Sequence, residues 1–406
     1  MSSPMSAKHI HRVGIVGGGN MASTIFKVLL DTDYPVTLWA RRPEKVAELE
    51  KKLLGRLKRR AKRGGTAGEK AAERLKSVHI TADFEQLAGS DVILENVAED
   101  HEIKAEVFRR LDGLVDADTI LTTNTSSLCP SALATHVSHP ERFAGLHFFQ
   151  PVSVLNMVEL IRAKETRSEL METLKGFVDT LGLRPILVNK ELPTFLVNRI
   201  CVTYYHEGAR LVGEGHWLPQ DIDRLGRRWF ATGPCETNDY VGLDISVQSE
   251  RSLDTSWGYA HVYETNHRAS LPFPDIFGLM VADRRFGLKS GKGFYRYEGG
   301  QAIPDDDYIR DVRQKCADYH RFPAYDEETV SRRLLCTVLL EAAIALELEI
   351  GSEDDIEFST KLVLGMEKGP FETIRAFGVD RVRSWLADLH EKYGQRDFVP
   401  RGILAA

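Results

Sequence analysis

The sequence predicts an α/β domain built on a mostly parallel sheet, followed by an all-helical C-terminal half. Three observations carry this expectation. Short apolar runs alternate with amphipathic stretches through the first half, a glycine-rich turn directly follows the first run, and after Pro193 the pattern becomes helical and stays so.

Val13-Gly14-Ile15-Val16 reads as a buried strand, residues 22–30 as a helix, and Val36-Thr37-Leu38-Trp39 as a second strand. Further strands are expected at 78–81, 92–94, 120–122, 144–149 and 157–161, and the last at 185–188. Between them lie helical patterns, such as Ile103, Val107 and Leu111 at intervals of four. The helical half repeats itself. The segment from Asn198 and the segment from Arg332 agree at Arg199/Arg333, Glu207/Glu341, Ala209/Ala343, Asp221/Asp355 and Ile222/Ile356. After a two-residue insertion, Gly233-Pro234 answers to Gly369-Pro370, and Val241-Gly242-Leu243-Asp244 to Phe377-Gly378-Val379-Asp380. The domain expectation is therefore 1–191 for dinucleotide binding, 192–297 for a helical domain, 298–325 for a Gly-, Asp- and Pro-rich linker, and 326–406 for a degenerate second copy of the helical domain.

A length of 406 residues suits two or three cores, and 43% hydrophobic with 28% charged residues is ordinary for a globular chain. The net charge of −6 gives no reason to expect nucleic acid as a partner. No apolar run is long enough to span a membrane, and the opening MSSPMSAKHIHR lacks the apolar core of a signal peptide. Cys129, Cys201, Cys235, Cys316 and Cys336 are scattered without a CxxC pair, so neither a metal site nor a disulfide framework is expected. A cytoplasmic protein with reduced thiols is the expectation.

Val16 leads into Gly17-Gly18-Gly19-Asn20-Met21-Ala22, a G-x-G-x-x-A that follows a strand and opens a helix. Gly17 permits the tight turn, Gly19 lets the backbone approach a pyrophosphate at the helix N-terminus, and Ala22 lets helix and strand pack closely. A Rossmann-type NAD or NADP site follows, with Asn20 and Met21 inside the phosphate turn. NAD-specific sites end the second strand on an acidic residue. Here Ala40 stands there, followed by Arg41 and Arg42, so NADP is the expected cofactor. A basic run follows at Lys51, Lys52, Arg56, Lys58, Arg59, Arg60, Lys62 and Arg63. It reads either as a solvated helix face or as an electrostatic clamp for a polyanionic ligand.

Five further motifs bear on function: VILENVAEDHEIKAEVF from Val92, NTSSL from Asn124, RFAGLHFFQPVSVLNMVEL from Arg142, FLVNR from Phe195 and LKSGKGFYRY from Leu288. With these the sequence resembles the 3-hydroxyacyl-CoA dehydrogenases over residues 12–297, and the second helical copy is similar to the extra C-terminal module of the multifunctional fatty-acid oxidation proteins. The resemblance implies that His147 is the general acid/base and that Glu159, twelve residues on, orients it. It implies that Ser126 and Asn198 contact the substrate oxygen, that Glu99 and Lys104 lie near the nicotinamide ribose, and that Lys58 and Arg59 meet coenzyme A. The family's HFFNP is here HFFQP, which puts Gln150 in the substrate pocket, and its PGF is here PTF, with Thr194.

The expected enzyme is an NAD(P)-dependent CH–OH oxidoreductase of fatty-acid metabolism, interconverting 3-hydroxyacyl and 3-ketoacyl thioesters. Two alternatives stay open: the same redox chemistry on a carrier-protein-bound or free hydroxy acid, and a redox-inactive dinucleotide-binding protein. The second copy carries Arg332 where the first has Asn198, so a structural role and a monomer with an internal pseudo-dimer, or else a homodimer, are expected.

Overall fold

The computed structural model describes residues 9–251, 276–315, 324–393 and 398–405. Cys316 and most of the opening segment lie outside the described residues. The chain divides into two compact units, Met1–Glu191 and Leu192–Ala406.

The first unit is an eight-stranded sheet in the order β3-β2-β1-β4-β5-β6-β7-β8. Its strands are β1 (Val13–Val16), β2 (Val36–Trp39), β3 (Val78–Thr81), β4 (Val92–Glu95), β5 (Ile120–Thr123), β6 (Phe143–Phe148), β7 (Met157–Ile161) and β8 (Arg184–Val188). The first six run parallel, as expected of apolar runs buried on both faces. The sheet then reverses: β7 pairs with β6 antiparallel, Gly145 opposite Ile161 and His147 opposite Glu159. Only the short helix Val152–Leu155 separates β6 from β7, far too little chain for a parallel crossover. The order 3-2-1-4-5-6 is doubly wound, and its switch point lies between β1 and β4.

The second unit is helical. Helix Glu327–Glu347 is buried on almost every side from Thr329 to Ala345 and packs along helix Val197–Gly213. Buried charge crosses this contact in both directions. Arg199 pairs with Glu341 at 2.6 Å, while Arg333 pairs with Glu207 and, at 2.7 and 2.8 Å, with both carboxylate oxygens of Glu214.

Residues 298–325 were expected to be a linker, and the described part is structured instead. β9 (Tyr295–Glu298) and β10 (Gln301–Pro304) form a hairpin, turned by Gly299 and Gly300 at φ 58° and 84°. A helix, Asp306–Gln314, follows and buries Ile309 and Val312. The glycines and aspartates that read as linker composition are turn and helix-start residues.

Among the described residues, no helix is long and apolar enough to cross a membrane.

Candidate active site

The switch point opens a crevice of about 970 Å³. Its floor is the turn Gly17–Met21 after β1. Its walls come from Trp39 at the end of β2 and Arg41 after it, Asn96–Ala98 after β4, and the helix His101–Asp112, with Gln150 also lining it. Gly17 has φ 127°, and a Cβ there would meet the carbonyl oxygen of Asn96 at 2.3 Å, so only glycine closes this turn. Gly19 begins helix Asn20–Leu30 with no side-chain cap, and nothing lies within 4 Å of where its Cβ would be. Unpaired helix N–H groups thus face open space, the arrangement a pyrophosphate needs. Ala22 is buried against the strand, while Asn20 is exposed and donates to the Gln150 side chain at 3.3 Å.

Ala40 is buried and offers no acceptor. Arg41 is exposed and lines the crevice. Arg42 is also exposed, but it stands at the N-cap of helix Pro43–Leu49 and does not line the crevice.

Antiparallel pairing puts His147 and Glu159 side by side. The imidazole Nδ1 lies 2.7 Å from Glu159 Oε2, with the carboxylate fully buried and the ring nearly so. Phe149 packs on the imidazole with ring centroids 4.5 Å apart. The carboxylate fixes the ring's orientation through Nδ1. Asn124, at the end of β5, accepts from the Phe148 N–H at 2.7 Å and donates to Asn96 at 2.8 Å. That ties the strand end carrying His147 to the crevice wall. Asn96 and Asn124 were missed by sequence reasoning; their signal was an asparagine directly after a buried strand, once in each motif.

Ser126 is exposed in the loop after Asn124. Asn198 belongs to the second unit, in the first turn of helix Val197–Gly213. Gln150 lines the crevice, and its amide oxygen accepts from the Asn20 side chain at 3.3 Å. Neither Glu99 nor Lys104 lines the crevice, and Lys104 is 1% exposed and paired with Glu95. Lys58 and Arg59 are exposed on helix Gly55–Ala61, where Lys58 is paired with Glu50 at 3.0 Å. Thr194, the other departure from the family pattern, is buried at φ 63° and is followed by Phe195 at φ 59°.

A crevice at the switch point of a doubly wound sheet, with uncapped amides at its floor, is where such folds hold a dinucleotide. Comparison with known proteins narrows the class. Residues 12–192 match the model for the NAD-binding domain of 3-hydroxyacyl-CoA dehydrogenase, and residues 195–297 and 330–405 match the model for its C-terminal domain. The mitochondrial hydroxyacyl-coenzyme A dehydrogenase of Sus scrofa is 34% identical over 304 residues, 72% of this chain and 94% of that protein. The (S)-3-hydroxybutyryl-CoA dehydrogenase of Ralstonia eutropha superposes with a TM-score of 0.62 at 29% identity, covering 71% of this chain and 99% of the other. A 3-hydroxybutyryl-CoA dehydrogenase from Escherichia coli shares the fold over 98% of both chains, with a TM-score of 0.80 at 24% identity. The chain belongs to the 3-hydroxyacyl-CoA dehydrogenase family. It is an oxidoreductase of the hydroxyacyl-CoA class that uses a nicotinamide dinucleotide.

Proposed function

We propose that this chain interconverts a 3-hydroxyacyl-CoA and the corresponding 3-ketoacyl-CoA, with His147 as general acid/base. The carrying observation is the buried His147–Glu159 pair at 2.7 Å, at the strand end that Asn124 ties to the dinucleotide crevice. When bound, the nicotinamide accepts or supplies the hydride at C3 of the acyl group. His147 Nε2 takes the proton from the C3 hydroxyl in the oxidative direction and returns it in the reductive one. Glu159 holds the ring in one tautomer and stabilises the imidazolium formed in between. Ser126 and Asn198 hydrogen-bond the reacting oxygen. Lys58 and Arg59 present positive charge to the phosphates of coenzyme A.

The cofactor in this reading is NADP(H). Ala40 neither accepts from a ribose 2′-hydroxyl nor repels a 2′-phosphate, and Arg41 stands exposed at the crevice wall. In this reading Arg42 adds a second positive charge nearby. The repeated helical stretches form an internal pair about an approximate two-fold axis, which fits the crossed pairs Arg199–Glu341 and Arg333–Glu207.

One assay tests the reading: nicotinamide absorbance followed with acetoacetyl-CoA and each reduced cofactor. NADPH should give the higher kcat/KM by about tenfold or more, the worth of one charge-assisted hydrogen bond. Arg41→Ala should erode that ratio, and Ala40→Asp should move it toward NADH. His147→Gln should lower kcat by about two to four orders of magnitude and leave cofactor affinity unchanged. A variant retaining more than about a tenth of turnover, with chemistry limiting, removes His147 from the general acid/base role. A wild-type preference for NADH removes NADP(H).

A further inference from the structure

One stripe of helix His101–Asp112 lines the crevice. Ile103, Glu106, Val107 and Arg110 follow one another at helical spacing and share a face. Ile103 is 46% exposed and Val107 half-buried, so apolar surface stands open on that face. Two aromatic residues line the crevice as well: Trp39, at the end of β2, and Phe84, in the short helical turn Phe84–Leu87 after β3. Both are held in place. The Trp39 indole N–H donates to the Ala82 carbonyl at 3.1 Å, and the buried Phe84 ring meets the indole edge-on, with centroids 5.0 Å apart and planes at 90°. Over the Phe84 ring lies the guanidinium of Arg110, its Cζ 3.8 Å from the ring centroid. The ring thereby holds one face of the guanidinium, as aromatic faces do for arginine. The Arg110 side chain is still 52% exposed, and its nearest carboxylate, that of the exposed Glu85, is 4.0 Å away, too loose an ion pair to hold it elsewhere. A guanidinium laid on an aromatic ring offers its other face to a second flat π system, such as a nucleobase. The charge nearby favours a base over a phosphate: Glu102 and Glu106 line the same crevice, both exposed.

We propose that Arg110, laid on Phe84, is a stacking platform for the adenine ring of the dinucleotide and serves NADPH and NADH alike. This rests on the reading of the crevice as the dinucleotide site, and not on the choice between the two cofactors.

The experiment compares wild type, Arg110→Ala, Arg110→Lys and Arg109→Ala. Both arginines are exposed on the helix surface, so all three variants should fold. Fluorescence titration without substrate gives Kd for NADPH and for NADH, and displacement of NADPH gives Kd for ADP-ribose, which keeps the adenine and lacks the nicotinamide. Arg110→Ala should raise all three Kd values by a common factor of about five to ten. Arg110→Lys, which keeps the charge without the flat group, should stay within about twofold of Arg110→Ala. Arg109→Ala removes the same charge one residue away, outside the crevice, and should stay within about twofold of wild type. A loss confined to NADPH would make Arg110 a contact of the 2′-phosphate. Full recovery in Arg110→Lys would reduce it to a point charge, and an equal loss in Arg109→Ala to a general field. Each of these overturns the proposal, as does an unchanged Kd for ADP-ribose or for both cofactors in Arg110→Ala. A wild type that binds neither NADPH nor NADH instead overturns the reading of the crevice beneath it, and the proposal falls with that reading.

Discussion

In helix Val197–Gly213 the residue before Arg199 is Asn198; in helix Glu327–Glu347 the residue before Arg333 is Arg332. The arginines that follow do the same work, each reaching a buried glutamate on the other helix. Further along, Asp223 accepts from the N–H groups of Cys235 and Glu236 at 2.7 and 3.1 Å and so caps helix Pro234–Val241. Glu357, in the equivalent place, accepts from the Glu372 N–H at 2.7 Å and caps helix Pro370–Phe377. The two stretches part at Asn198 and at Asp239. Arg332 reaches Glu328 at 2.9 Å and lies over the Trp385 ring. Asp239 collects the N–H groups of Phe294 and Tyr295 and the Tyr297 hydroxyl to anchor the β9–β10 hairpin, whereas Arg375, its counterpart, pairs with Glu353 at 2.6 Å. Positions that hold helices together persist in both stretches; the one that anchors the appended hairpin persists in one.

The comparison breaks hardest at Arg333. Arg333→Met removes the cation that Glu207 and Glu214 share in the interior, with Arg210 still 3.6 Å from Glu214, and should cost about 3–5 kcal/mol in urea unfolding. Arg199→Met, which strands Glu341 alone, should cost less. Equal losses would mean that the crossed pairs are energetically alike despite their unequal partners.

Next comes function. Asn198→Ala should lower kcat about tenfold or more through a lost hydrogen bond to the reacting oxygen. Arg332→Ala should leave kcat where it was and cost no more than about 1 kcal/mol of stability, since its partner Glu328 is solvent-exposed. An effect of Arg332→Ala on turnover would give the second stretch a catalytic part.

Smaller again is the cap. Glu357→Ala should lower stability by about 1 kcal/mol, the usual worth of an N-terminal cap, seen as a shift in urea midpoint without a change in slope.

The last effect is a slope. Burial pushes Asp239 up to about 7, against bonds from Tyr295, Phe294 and Tyr297 that act the other way. A carboxyl raised in the folded state contributes its stability fully below its unfolded pKa, and that contribution is lost as pH rises through about 7. The stability of the wild type relative to Asp239→Asn should therefore fall between pH 5 and pH 8. Parallel curves over that range would remove Asp239 as the source.

Much of the fold was legible because each sheet strand is a short, largely apolar run, and five of them (β1, β4, β5, β6 and β7) are buried along their whole length. The strand-turn-helix around Gly17–Ala22 could be read for the same reason: turn, phosphate approach and packing each demand a small residue there. The reversal at β7 could not, since an apolar run carries no direction; only the shortness of the connection after β6 implies it. Side-chain direction was also out of reach. Lys104 sits at a family-matching position, but its pairing with Glu95 could not be read, since Glu95 is in sequence one more strand-end residue. Residues 298–325 misled because composition cannot separate a linker from a tight hairpin and a helix start.

The crossed arginine–glutamate pairs carry one more consequence. When such a contact joins separate molecules, its occupancy declines as the solution is diluted. Here all four charges belong to one covalent chain, so the partner's effective concentration is fixed by the connection and not by how much protein is present. The melting behaviour of this helix pair should accordingly be the same at nanomolar and micromolar protein, and neither half has to wait for an encounter in order to fold.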